Sequence, residues 1–204
     1  RDDHLRMQVI QDAQSWLFAG ALLMLALYQA VIYLGSRDRA ALLYVGVALT
    51  TAAMDIVSRG NIQQLVPVDS YPIPAGAFPL VLLVLGLSWC LFTRVALDMP
   101  RYSTGATRSL DVISAATVVL ILLSPVFPPR FMAIMSFGSN TPVMVGCLVA
   151  GALAARRGCL PARVYLLTWA AAFACTGVAA LSFVVGTIDS ELTGLLFKLG
   201  PLCQ

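Results

Sequence analysis

The chain has 204 residues, 59% hydrophobic and 11% charged, with a net charge of +3 and a mean hydropathy of +0.86. A soluble domain carries roughly 25% charged residues, so a soluble enzyme domain is excluded. At about 20 apolar residues per crossing, the length allows roughly six or seven membrane helices and little else.

Residues 1–14 open on Arg1-Asp2-Asp3-His4-Leu5-Arg6 and lack the basic start, short apolar core and cleavage site of a signal peptide. They read as the tail of an upstream region. Residues 15–204 read as a seven-helix module with the seventh helix incomplete. Ser15 to Gly35 is the first apolar run, with Trp16 and Tyr33 at its ends, where amphipathic rings favour the headgroup level. Ser36-Arg37-Asp38-Arg39 is a charged turn, and Ala40 to Ser58 is span two. Asn61 to Gly76, broken by Pro67, Pro72 and Pro74, reads as an outer loop. Ala77 to Leu97 is span three, with Pro79 tolerated in its first turn. Asp98 to Asp111 reads as a polar loop, and Val112 to Phe127 as a short fourth span whose boundary is displaced.

Phe131 to Ala155 is span five, with Ser136-Phe137-Gly138-Ser139-Asn140-Thr141-Pro142 in its first half. A helix starting at Pro142 would have about 14 residues, too few for a core of ~30 Å. The segment must therefore enter earlier and kink or break. Arg156 to Arg163 is a basic loop, Val164 to Gly186 span six, Thr187 to Ser190 a turn, and Glu191 to Gln204 the start of a seventh helix.

The loops after spans one, three and five, with Arg94 at the end of span three, hold Arg37, Arg39, Arg94, Arg101, Arg108, Arg156, Arg157 and Arg163, eight of the thirteen basic residues. The positive-inside rule then places the N-terminus outside. The expected fold is an all-α integral membrane protein, a bundle of six complete transmembrane helices plus the start of a seventh.

Catalytic routes are few. The one histidine, His4, precedes the first span, and no nucleophile elbow, phosphate loop or metal-ligand spacing occurs. The fragment is expected to be no enzyme and to need no cofactor, metal or nucleic acid. Intramembrane charges are costly, which makes Asp55 near the outer end of span two and Lys198 in span seven candidates for a ligand or coupling pair. The bland alternative has Asp55 reaching the interface and Lys198 snorkelling. Ser139, Asn140 and Thr141 suggest a polar outer pocket, against a kink that neighbouring side chains repair. The five cysteines are expected as free thiols, most of them packing as small hydrophobes. Small-residue rows (Gly146, Ala150, Ala154; Cys147, Gly151, Ala155; Ala170, Ala174, Gly177) predict close helix seams within the chain, or alternatively a homodimer face.

Five stretches stand in a characteristic order: Tyr28 to Leu34 with Ser36-Arg37-Asp38-Arg39 and Leu42-Leu43-Tyr44; Gly60 with Gln63-Gln64-Leu65-Val66-Pro67; Phe92-Thr93-Arg94-Val95-Ala96-Leu97; Ala162 to Trp169; and Gly200. In these the chain resembles the seven-transmembrane region of bacterial receptors with diverse intracellular signalling modules, the 7TMR-DISM family. Arg94, Tyr165 and Trp169 belong to these stretches and are coupling candidates. The resemblance implies a bacterial inner-membrane location, an upstream periplasmic sensory domain, and a downstream output domain, a histidine kinase or diguanylate cyclase. It transfers no catalytic residue. A retinal-binding light receptor is a different reading, suggested by the lysine in span seven; span three has no carboxylate before Arg94 to serve as its counterion. A small-solute transporter is another, resting only on the interrupted fifth span.

Overall fold

The computed structural model describes residues 2–58 and 77–170, and the elements among them are helices. In chain order these are α1 (Asp2–Ser36), α2 (Arg39–Ser58), α3 (Ala77–Ala96), α4 (Met99–Tyr102), α5 (Thr104–Leu123) and α6 (Pro129–Arg156). A further helix, α7, starts at residue 160 and is described to residue 170. Among the described residues, five stretches are long and apolar enough to cross a membrane: Trp16–Ser36, Arg39–Val57, Ala77–Ala96, Thr104–Leu123 and Arg130–Arg156. The expected outer loop at 61–76, most of span six and the seventh helix lie outside the described residues.

The distribution of side chains is the reverse of a soluble core. Leu17, Leu34, Leu122, Ile134 and Leu167 are exposed, whereas Ala19, Ala26, Ala48, Ala52, Cys147, Ala150 and Ala154 are buried. Lipid tails are as apolar as leucine, so helices gain by placing small residues at their seams and leaving long ones outside. Hydroxyls inside the spans are satisfied locally. Thr50 donates to the Gly46 carbonyl, Thr51 to Val47, Ser88 to Val84 and Thr117 to Ile113, so no polar group of theirs is presented to hydrocarbon.

Helix α3 is the hub. It packs against α2 on one side and against α5 and α6 on the other, while α1 packs on α2. Tyr44, near the start of α2, meets Phe92, near the end of α3, at 5.5 Å between ring centroids, so these two helices run antiparallel. Helices α3 and α6 run parallel: Phe78 meets Phe137 early in both, and a side chain on Gly86 would touch Asn140 and Val143 further along. The turns after α1, α3 and α6 therefore share one face of the bundle. That face carries all eight arginines counted above, and Arg130 lies at the opposite end.

Each of these three turns uses a left-handed residue. Arg37 has φ 53° and closes α1 through its N–H to the Tyr33 carbonyl, while the Asp38 carboxylate caps α2 by accepting from the Ala40 N–H. Asp98 has φ 44° and ends α3. Gly158, at φ 87°, ends α6, with the Cys159 N–H returning to the Ala154 carbonyl, a conformation that glycine adopts without the strain of a Cβ.

Four boundaries differ from the sequence expectation. Helix α1 continues back to Asp2, because residues 2–14 contain neither proline nor glycine to stop it. The segment 98–111 is no loop. After Asp98 comes the single turn α4, and Ser103 then caps α5 by accepting from the Ala106 N–H, so the fourth span starts eight residues earlier than its apolar run. It ends at Leu123, because Pro125 cannot continue a helix. The fifth span is an uninterrupted helix through Pro142, and α7 begins at residue 160 within the expected loop.

Candidate functional site: a polar joint at the arginine-rich end of α3

The last two turns of α3 carry Trp89, Cys90, Phe92, Thr93 and Arg94. Thr93 is fully buried, and its hydroxyl lies 2.7 Å from the Tyr165 phenol on α7. Most other hydroxyls in the spans return to their own helix; this one joins two. Trp169, one turn after Tyr165, meets Trp89 edge-on at 5.0 Å, and Phe92 extends the ring contacts to Tyr44 on α2. Tyr165 fits here because Gly151 on α6 offers no side chain: a Cβ there would lie 3.0 Å from the tyrosine ring.

Arg94, the next residue, points the other way and pairs with Asp111 on α5 at 2.9 Å, both side chains being about two-fifths exposed. Helix α3 thus holds α7 through a buried neutral hydrogen bond and α5 through a half-exposed ion pair. Exposed pairs contribute about 0–1 kcal/mol. Arg94→Ala is expected to lower stability by less than about 1 kcal/mol, with the loss reduced in high salt, and the double exchange Arg94→Asp/Asp111→Arg to restore it. Thermal unfolding in detergent at two salt concentrations measures both. Below this level, Tyr102 on α4 has its phenol held above its ordinary pKa, first by a hydrogen bond to the Cys159 thiol and then by the charge and burial around it.

Of the residues singled out from the sequence, Arg94, Tyr165 and Trp169 come together at this joint. Ser139, Asn140 and Thr141 lie elsewhere and do not converge. Ser139 donates to the Ser136 carbonyl of its own helix; Asn140 donates to that same carbonyl at 3.3 Å and to the Leu82 carbonyl of α3 at 3.4 Å; Thr141 is exposed. Ser136 is buried and donates to Ala133. These groups take backbone carbonyls one turn before the proline region, at Ala133 and Ser136, and Asn140 ties α6 to α3 beside Gly86. Asp55 is half-buried on α2, and Lys198, named with it, lies outside the described residues. The rows Gly146/Ala150/Ala154 and Cys147/Gly151 form seams within the chain, against α3, α5 and α7.

Thr93 and Asp111 were not singled out from the sequence. Asp111 was hidden by its assignment to a loop. A lone cation ending span three and a lone acid opening span four on the same side is the signal that would have paired it with Arg94.

Long apolar helices with small-residue seams and charged turns define a multi-pass helical membrane protein. The family model described as 7TM diverse intracellular signalling matches residues 12–204. The chain belongs to that family. Searches of curated proteins and of solved structures gave no match.

Proposed function

We propose that this chain is the membrane-embedded signalling module of a bacterial inner-membrane receptor, with its N-terminal end in the periplasm and its arginine-rich face in the cytoplasm. A stimulus from a periplasmic region or from the membrane changes the packing around α3, and the change passes to a cytoplasmic output domain, a histidine kinase or diguanylate cyclase, elsewhere in the full-length protein. Residues 1–204 carry no reaction of their own in this reading. The supporting observation is the joint itself. The arginine-rich end of α3 meets α7 through a buried hydrogen bond, α5 through a half-exposed ion pair, α2 through a ring contact and α6 through buried apolar packing. Relay requires two bundle states close in energy, with the stimulus favouring one, and a polar contact between helices is a discrete element that two packings can make or break. The family membership and the charge asymmetry support the same reading.

The test is output activity of the full-length receptor in native membranes, as autophosphorylation or cyclic-dinucleotide synthesis, for wild type, Thr93→Val and Tyr165→Phe at matched abundance. Basal output is expected to shift about five-fold or more, the lower end of usual coupling energies. Unchanged output in both variants would remove α3 as the relay. Accessibility of single cysteines placed at Arg37 and Arg130 to an impermeant maleimide in intact cells tests the orientation, with labelling expected only at residue 130.

A further inference from the structure

A cavity of about 470 Å³ opens at the arginine-rich end of the bundle, lined by Pro100 of α4 and by Thr104, Gly105, Thr107 and Arg108 of α5. That volume lies within the range of small-molecule sites. Its charge is one-sided. Asp111, three residues after Arg108 and so its neighbour on the helix surface, is held by Arg94 of α3 at 2.9 Å. Among the described residues no carboxylate lines the cavity, which leaves the Arg108 guanidinium there without a counterion. The Thr107 hydroxyl is committed to the Ser103 carbonyl, so Thr104 offers the free hydroxyl. Gly105 leaves the wall open, since a Cβ at this position would meet nothing within 4 Å. An arginine fork beside a hydroxyl suits a phosphate, which the fork can hold through two parallel N–H bonds.

The helix surface next to the cavity identifies what carries the phosphate. Thr104 and Arg108 begin a row on α5 that continues at helical spacing through Val112, Val119 and Leu122, which are 68%, 51% and 71% exposed. Apolar side chains that face outward from a spanning helix meet acyl chains, which are as apolar as they are. The polar cavity thus stands at the membrane boundary, at the head of an apolar strip on the same face of the same helix. Arg101, exposed on α4 next to Pro100, adds positive charge at that level. We propose that the cavity binds the headgroup of an anionic phospholipid, with the phosphate on Arg108 and Thr104 and an acyl chain along Val112, Val119 and Leu122. A free phosphate ester would use the cavity and leave the strip bare; a lipid uses both. The site requires only that this end of the bundle lies at a membrane surface, so it stands independently of the signalling role.

The test uses the full-length protein, delipidated in mild detergent and incubated with phosphatidylglycerol, phosphatidylcholine or glycerol phosphate, with bound molecules counted by native mass spectrometry. Wild type is expected to hold phosphatidylglycerol at concentrations where the other two are lost. Arg108→Gln and Gly105→Leu are each expected to lower that affinity about ten-fold or more, the scale of a hydrogen bond to a charged group. The second variant keeps every charge and fills the cavity, at a position where leucine suits a helix better than glycine. Arg157→Gln removes a charge of the same face outside the cavity and is expected to bind as wild type does. Thermal unfolding without added lipid is expected to be the same for all four proteins, which separates loss of the site from loss of the fold. Unchanged affinity in Arg108→Gln and Gly105→Leu overturns the proposal. So does an equal loss in Arg157→Gln, which would make the attraction a property of the whole arginine-rich face. Equal binding of phosphatidylcholine overturns the anionic headgroup, and glycerol phosphate bound as tightly as the lipid overturns the lipid as occupant.

Discussion

Tyr165→Ala is expected to destabilise the bundle by about 3 kcal/mol or more, in the range of large-to-small aromatic truncations, and Tyr165→Phe by about 1 kcal/mol. The first removes the ring that fills the notch left by Gly151 and touches Trp169. The second removes only the phenol and leaves the buried Thr93 hydroxyl without it. Neither partner is left wholly without an alternative. A threonine in a helix can turn its hydroxyl to the carbonyl four residues back, here that of Trp89, and the Tyr165 phenol still has the Trp169 indole and the Cys147 thiol beside it when Thr93 is replaced by valine. Thr93→Val and Tyr165→Phe should therefore cost similar amounts, and the double variant less than the sum. Hydrogen bonds between membrane helices couple by about 0.6 kcal/mol on average and at most about 1.7, which sets the expected interaction energy. Unfolding in mixed micelles across the four proteins of the cycle measures it. An interaction energy of zero would mean that the 2.7 Å contact contributes nothing to holding α7 on α3.

The spans were legible wherever apolar length alone decides. Span three was expected at Ala77 to Leu97 and is found as Ala77–Ala96, and the first two turns of charge marked the ends of α1 and α2 correctly. The fourth span was not, because its first turns, Thr104 to Asp111, are polar on an interfacial helix and only the Ser103 cap announces them. Polarity there follows from the membrane boundary and not from the end of the helix. The fifth span was expected to enter before Pro142 and to kink or break; it enters at Pro129 and does not break, the helix running through Pro142 to Arg156. The joint was half legible. Tyr165, Trp169 and Arg94 stood out by type and position, but Thr93 is one hydroxyl among many in apolar helices. Its distinction, a bond across helices in place of one within its own, exists only once α3 and α7 are packed. Pairings between helices depend on register and crossing, which a list of residues along one strand of sequence does not contain.

Gly151→Leu is expected to be among the most damaging single changes in the described bundle, costing about 3 kcal/mol or more as severe overpacking, with Gly151→Ala at about 1–3 kcal/mol. A Cβ at this position would lie 3.0 Å from two atoms of the Tyr165 ring and 3.1 Å from Leu166. The ring cannot swing aside without lengthening its bond to Thr93, so the cost combines strain with loss of that bond. Two other glycines provide the contrast. At Gly146 the nearest atom is the tip of Ile113, a flexible end that can shift, and Gly146→Ala should cost less than Gly151→Ala. At Gly46 nothing lies within 4 Å, so Gly46→Ala should be neutral or stabilising by about 0.5–1 kcal/mol through helix propensity. The decisive measurement is Gly151→Ala in a Tyr165→Ala background. With the ring gone, the new methyl group has room, and the glycine substitution should cost little or even fill part of the cavity. Strict additivity of the two changes in micelle unfolding would show instead that Gly151 matters for the α6 backbone, and that the fit between notch and ring is not what holds α7 in place.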